Sequence, residues 1–224
     1  MKNILGTTKL LTTNAKIDKS IKFFNNEYEA TILQMIPGKG VCVDYSRCLS
    51  KCLAFTGFAK IWKSVNVARQ KRKDLFVDNI DLFKTYILKE VNNQVKRAAK
   101  KNRVAVIRLN GFTDINWALI LFNGKTLFEL FPDVIFYDYT ADFDKAKNNR
   151  IANYHLTFSF KSDKHGNNSA ACHEMIRRGM SVAVIDTVEN RDKWFNGLPG
   201  INGDQHDFRF LDNDSSIVWL TFKK

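Results

Sequence analysis

Three cysteines, Cys42, Cys48 and Cys52, fall inside one eleven-residue stretch with the spacing C-x5-C-x3-C. Cys48 and Cys52 stand four apart, so on a helix both thiols project from one side. Cys42 comes one loop earlier, behind Pro37-Gly38-Lys39-Gly40, a run that interrupts regular structure and lets the chain fold back. Three thiolates can thus be gathered about one point, as a metal centre requires. Zinc sites pair two close C-x2–4-C half-sites or add histidine, and the second half-site is missing here. Iron–sulfur clusters accept one-sided spacing, and three cysteines can hold a four-iron cluster with one iron open. The expected order is therefore an iron–sulfur cluster, then inert buried thiols, then zinc. Cys172-His173 offers a fourth ligand, although Met175 and Ile176 beside it suit a packed helix equally well.

The second constellation is Asn202-Gly203-Asp204-Gln205-His206-Asp207. Asp204, His206 and Asp207 have the types that bind a divalent metal or serve as acid and base in phosphodiester hydrolysis. The other reading is a Gly-Asp turn bonded to its own backbone. Asp114 and Asp138 follow apolar runs and could join such a site. Each also suits a helix cap or turn, Asp114 as the N-cap of the next helix. His155, inside an apolar run, reads as a core histidine rather than a ligand.

The third feature is charge. The net charge is +12, and residues 1–103 hold 21 Lys and Arg against 8 Asp and Glu, whereas residues 104–224 are nearly balanced. A basic half is the footprint of a polyanion partner, with nucleic acid the commonest, or else a lysine-rich solvated face. Lys63, Arg69, Lys71, Arg72 and Lys73 are the candidate phosphate contacts. The alternative for the arginines is pairing inside the fold with Asp74, Asp78 or Asp81. Lys96, Arg97, Lys100 and Lys101 have a sufficient structural role at the carbonyl end of a helix.

The elements that must position these residues follow from periodicity. Residues 1–29 read as a basic arm or irregular strands, with a ribbon near Lys9-Leu10-Leu11. Ala30–Ile36 is a buried strand stopped by Pro37, so the cysteines lie beyond its carboxyl end, where α/β folds assemble sites. Residues 30–103 carry the cysteine loop and the basic helices. The second of these, about Asp78 to Lys101, buries Phe83, Ile87, Val91, Val95 and Ala98. Residues 104–224 form a strand-rich core. Its expected strands are Val104–Leu109, Val134–Tyr137, Tyr154–Phe158 and Ser181–Ile185, then Phe208–Leu211 and Ile217–Phe222 joined by a hairpin-like turn at Asp212–Ser215. Its expected helices are Ile115–Phe122, Thr126–Phe131 and Ser169–Arg178. The prediction is one α/β domain with a mostly parallel curved sheet or partial barrel, and a basic helical segment inserted after the first strand. Without an apolar run long enough to span a bilayer or a signal-peptide core, the expected setting is cytosolic. Thiols stay reduced there rather than forming disulfides, and no membrane partner is expected.

Several motifs together resemble a family of phage and plasmid proteins, the gene-product-88-like proteins. They are Lys9-Leu10-Leu11-Thr12-Thr13-Asn14-Ala15-Lys16, the cysteine segment, Ala68-Arg69-x-x-Arg72-Lys73 and Arg108-Leu109-Asn110-Gly111-x-x-Asp114. Phe131–Thr140, Asn153–Ser159 and Gly203-Asp204-x-His206-Asp207-x-Arg209-Phe210-Leu211-Asp212 complete the set. Where that family has Pro after the first cysteine and Ala two further on, this chain has Val43 and Tyr45, with the cysteine spacing intact. The resemblance implies a phage or mobile-element protein working in host cytoplasm, and it carries no activity with it. A cysteine loop behind the first strand is also similar, at the level of fold, to radical S-adenosylmethionine enzymes, but their C-x3-C-x2-C spacing is absent. Three functions stay open: a nucleic-acid-associated protein, DNA before RNA, carrying an iron–sulfur cluster; a metal-dependent nuclease or radical-type enzyme; and a non-catalytic protein that binds a host factor.

Overall fold

The computed structural model describes residues 8–42, 52, 54, 63–163, 166–186, 195 and 197–221. Its frame is an eight-stranded sheet built from β1 (Leu11–Thr12), β2 (Tyr28–Leu33), β3 (Val104–Arg108), β6 (Ile135–Thr140), β7 (Tyr154–Ser159), β10 (Val182–Asp186), β12 (Ile217–Thr221) and β11 (Gly200–Asn202), in that spatial order. Only β1 runs antiparallel to its neighbour. The pairings from β2 through to β11 are parallel. Two short hairpins, β4–β5 (Leu121–Phe122 with Lys125–Thr126) and β8–β9 (Ser162–Asp163 with Gly166–Asn167), lie outside the sheet. The expected α/β class and mostly parallel sheet are present. The sheet is open, with β1 and β11 at its edges and no barrel closure among the described residues.

From β2 to β10 each strand of the sheet lies beside the next one in sequence. Right-handed crossovers between parallel neighbours return every connection on the same side of the sheet. The helices accordingly share one face: α2 (Lys63–Asp78), α3 (Ile80–Lys100), α4 (Leu127–Leu130), α5 (Phe143–Asn148) and α6 (Ser169–Arg177). Asn79 caps α3 through its side chain, which accepts from the Leu82 amide at 3.1 Å. The stripe Phe83, Ile87, Val91 and Ala98 then packs on Ala105, Ile107 and Phe136. Farther along, Cys172, Met175 and Ile176 of α6 close over Phe158, Val182, Val184 and Ile217. The opposite face of β2, β3 and β6 is covered by α1 (Ala15–Phe23) and the chain around Phe208, which meet Ala30, Ile32, Val106 and Tyr137.

Four sequence expectations are corrected. The N-terminal arm contains a helix: Asn14 accepts from the amides of Lys16 and Ile17 and starts α1, and Ile17 is its buried anchor. Leu10 and Leu11 give their amides to the Glu90 carboxylate at 2.7 Å, which ties the edge strand to α3. The segment expected as a strand near Phe208 is instead a 3-10 turn, Arg209–Leu211, and β12 pairs in parallel with β10 and β11, so Asp212–Ser215 closes no hairpin. The reason is tertiary: Phe208 is drawn beneath the sheet among Phe24, Tyr28 and Tyr137. The helix expected over Ile115–Phe122 is a 3-10 turn, Trp117–Leu119, followed by the β4–β5 hairpin about Asn123-Gly124. Both residues of that turn have positive φ, as a two-residue hairpin of this type needs. His155 stands on the exposed side of β7 near Phe210, not in the core.

Candidate functional site

The carboxyl edge of β2 and β3 gathers most of the residues singled out above. Beyond β2 the Ile36 amide donates to the Arg69 carbonyl of α2 at 3.4 Å, and the chain turns through Gly38 and Gly40, both at positive φ. The Val41 and Cys42 amides return to the Gly38 carbonyl, and the Asp114 amide donates to the Val41 carbonyl at 2.9 Å. Cys42 thereby forms a parallel bridge with Asp114 and sits, half-buried, beside the loop that leaves β3. Cys52 is also half-buried. Cys48 lies outside the described residues.

That loop is held closely. The Gly111 amide donates to the Leu33 carbonyl at 3.0 Å, and a Cβ on Gly111 would stand 2.8 Å from the same oxygen, so only glycine lets the strand ends meet. Beneath it, Asp138 is fully buried and accepts from the Asn110 amide at 2.6 Å, from Asn110 Nδ2 and from the Tyr154 hydroxyl. Burial raises its pKa to about 6, against the pull of Lys145 and the Asn110 amide. Asp114 accepts from Thr140 Oγ1 and Lys145 Nζ on one oxygen and from the Ala141 amide on the other. It is therefore a brace between β3 and β6 rather than the helix cap expected of it. Both carboxylates are occupied in holding the edge on which Cys42 rides.

Asp204, His206 and Asp207 diverge although they are near neighbours in sequence. Asp204 ties the end of β12, accepting from the Thr221 amide at 2.9 Å. His206 is wedged against Phe23 and Phe24, and its Nδ1 meets Arg209 at 3.0 Å. Burial, with Arg209 beside it, lowers its pKa to about 4, so the ring is neutral at physiological pH. Asp207 reaches inward to Arg108 and the Tyr137 hydroxyl, both at 2.9 Å. Burial would raise its pKa, but Arg108 and Lys16 outweigh it and hold the carboxyl at about 2. Tyr137 and Asp138 are consecutive on β6 and point to opposite faces. Asp207, bonded to Tyr137, is thus separated by the sheet from Asp138 and Asp114, and the expected catalytic carboxylates do not converge. Among the described residues no three His, Cys, Asp or Glu side chains are grouped to hold a metal ion.

The basic helix α2 lies against the turn that leads into the cysteine segment, with Lys73 Nζ 2.8 Å from the position a Cβ on Gly38 would take. Its charges divide between two sides. Lys63 and Lys71 are exposed and Lys73 is partly so. Arg69 and Arg72 face inward: Arg69 bonds Asn66 and covers the Phe112 ring at 4.5 Å. Arg72 donates to the main-chain carbonyls of Lys9 at 2.6 Å and Gln34 at 3.0 Å. Burial lowers the Arg72 pKa to about 10, which leaves it a cation. Arg72 thus binds the chain's own backbone and Arg69 the Asn66 side chain and the Phe112 ring, and neither is paired with Asp74, Asp78 or Asp81 among the described residues.

The loop, the brace and the motif residues Arg209 and Asp212 all fall on segments quoted in the resemblance, and a family model confirms it. The model described as Gene product 88 matches residues 4–224. The chain belongs to the Gene product 88 family. No curated protein matches it, and no solved structure does. In this Gene product 88 chain several residues of the quoted motifs, Asn110, Asp114, Asp138 and Asp207, each hold two or more hydrogen bonds. Arg108, Tyr139 and Asp212 fall within the quoted motifs, but the sequence reading assigns them no role. The signal was there: Val-Ala-Val-Ile-Arg108 is an apolar strand ending in a cation, and a charge at such a place must find a buried partner.

Proposed function

We propose that the chain is a phage-type, nucleic-acid-associated protein whose cysteine loop holds an iron–sulfur cluster on Cys42, Cys48 and Cys52. The observation that carries this reading is the meeting of the cysteine loop with the basic helix, through the Ile36–Arg69 main-chain bond and the contact of Gly38 with Lys73. The donor set fits the group: three thiols within eleven residues, with Cys42 and Cys52 half-buried and Cys42 at the carboxyl edge of a parallel sheet, suit a soft metal centre. A cluster bound by three thiolates retains one iron for an exogenous ligand and can relay an electron. The chain's own contribution is positional. Asn110, Asp138 and the Asp114–Lys145 pair hold the edge on which Cys42 rides. Lys63, Lys71 and Lys73 present charge to a phosphate backbone, DNA before RNA, while Arg69 and Arg72 anchor the helix. A nuclease reading would have to draw its carboxylates from both faces of the sheet, and no observation favours it.

Anaerobic purification followed by iron, sulfide and zinc analysis tests the centre. About four irons per chain, lost in a folded Cys48→Ala variant, is the expected result. A colourless, iron-free and folded protein overturns it, and stoichiometric zinc would assign the cysteines a structural role. DNA affinity should fall steeply with salt as neutralised phosphates release counterions. Binding to a host protein with no salt-dependent DNA binding would replace the nucleic-acid half of the reading.

A further inference from the structure

Two features on the helix side of the molecule have no place in the reading above, an apolar cleft and an apolar projection. The cleft, of about 380 Å³, opens at the amino edge of β3 and β6. Val95 and Ala99 of α3 form one wall, and Leu130 and Pro132 face them across Val104, the first residue of β3. Its two charged lining residues are Arg103, which Glu29 already engages at 3.0 Å, and the exposed Asp133. The projection is the β4–β5 hairpin with the 3-10 turn before it. Leu119 is 76% exposed, more than any other large apolar side chain among the described residues, and Leu121 is 49% exposed. At the tip, a Cβ on Gly124 would meet no atom within 4 Å, so the hairpin stands clear of the chain there. The 3-10 turn and β5 both pack on α4, whose last residue Leu130 edges the cleft, so projection and cleft share one flank. Exposed leucines gathered beside an apolar recess mark an interaction surface rather than scattered exposure.

We infer that the cleft receives the β4–β5 hairpin of a second copy of this chain, with Leu119 and Leu121 seated against Val95, Val104 and Leu130 in a two-fold dimer. Shape and charge both point to this occupant. A two-fold interface uses one patch twice, so that patch must contain the knob as well as the hole, as this flank does. The hairpin carries Lys125, exposed beside its tip, and the cleft carries Asp133, so the polar rim is complementary to itself in sign. The inference is independent of the cysteine centre, since Cys42 lies at the opposite, carboxyl edge of the sheet.

Sedimentation equilibrium of the full chain over a range of concentrations, in anaerobic buffer so that no intermolecular disulfide forms, tests it. A dimer is expected. Leu119→Ser should weaken it by about tenfold or more, because burial of a leucine is lost twice in a two-fold interface. Leu121→Ser should act in the same way if the first variant does not fold, and circular dichroism checks the fold of both. Leu119→p-benzoylphenylalanine keeps the knob apolar and maps its seat. Irradiation of that dimer should join the new side chain to residues 95–105 or 130–134 of the other copy, read by mass spectrometry of the species of doubled mass. A chain that stays monomeric overturns the inference and leaves the cleft to a different partner, an acidic one given the exposed Lys96 and Lys100 beside it. A dimer weakened by neither serine variant, or cross-linked elsewhere, overturns it as well.

Discussion

At the scale of single residues, two buried aspartates show how partners set the sign of a carboxylate's effect. Asp207 lies between Arg108 and Lys16 and is held ionised down to about pH 2, so its stabilising contribution is complete above about pH 4 and is lost as pH falls from there toward 2. Asp138 is the opposite case. With its folded pKa raised to about 6, it keeps its proton between about pH 4 and 6 while the unfolded chain has released it. Its contribution to stability therefore rises as pH falls through that window and is flat above and below it. Asp138→Asn turns an amide toward the donors of Asn110 and should cost about 1–3 kcal/mol at pH 7, read by chemical denaturation. Subtracting the variant's stability–pH curve from the parent's should leave a rise of about 2 kcal/mol toward pH 4. A flat difference would mean that Asp138 does not titrate in this window.

At the scale of elements, α2 separates anchoring charges from presenting ones. Arg72 holds the carbonyls of Lys9 and Gln34, so it joins the N-terminal edge strand to the exit of β2. Arg72→Met should destabilise the fold by about 3 kcal/mol, because it leaves two main-chain acceptors without a charged donor. Lys63→Ala and Lys71→Ala should leave stability within about 0.5 kcal/mol yet make the salt dependence of DNA binding shallower by about one unit per lost contact. Stability loss in the lysine variants, or an unchanged salt slope, would remove the presenting role of this helix. The same division was half legible in the sequence. A cluster of five cations was visible, but which of them turn inward depends on the helix's phase against β2 and the Gly111–Phe112 loop, and its weak apolar stripe does not reveal that phase.

At the scale of the molecule, one sheet runs unbroken from β1 to β11, with the helix-side core on one face and the aromatic layer of Phe24, Tyr28, Phe208 and Phe210 on the other. Such continuity predicts a single cooperative unit. Amides of Val106 in β3 and Val184 in β10 should exchange with the same opening free energy in native-state hydrogen exchange. A markedly lower value for β10 would divide the chain into two units near β7.

The sequence by itself determined the class of the fold, the insertion of α2 and α3 after β2, the long amphipathic α3 and the family. These rest on local patterns: runs of β-branched residues, a 3.6-residue stripe, Pro37 and Gly179 as stops, and motif spacing. It also placed Cys42 beyond the end of β2, because a strand closed by proline leaves no other exit. What only the tertiary structure decided is where the charges go. Arg108 with Asp207, Arg72 with the Lys9 carbonyl, and Arg209 with Asp212 are pairings made by folding, and the first two span 99 and 63 residues. No local window encodes such a partner, since burial of a charge is permitted only once its counter-charge has been brought to it. The 3-10 turn at Arg209–Leu211 has the same cause: a short apolar run takes the conformation that delivers Phe208 and Arg209 to the covered face of the sheet.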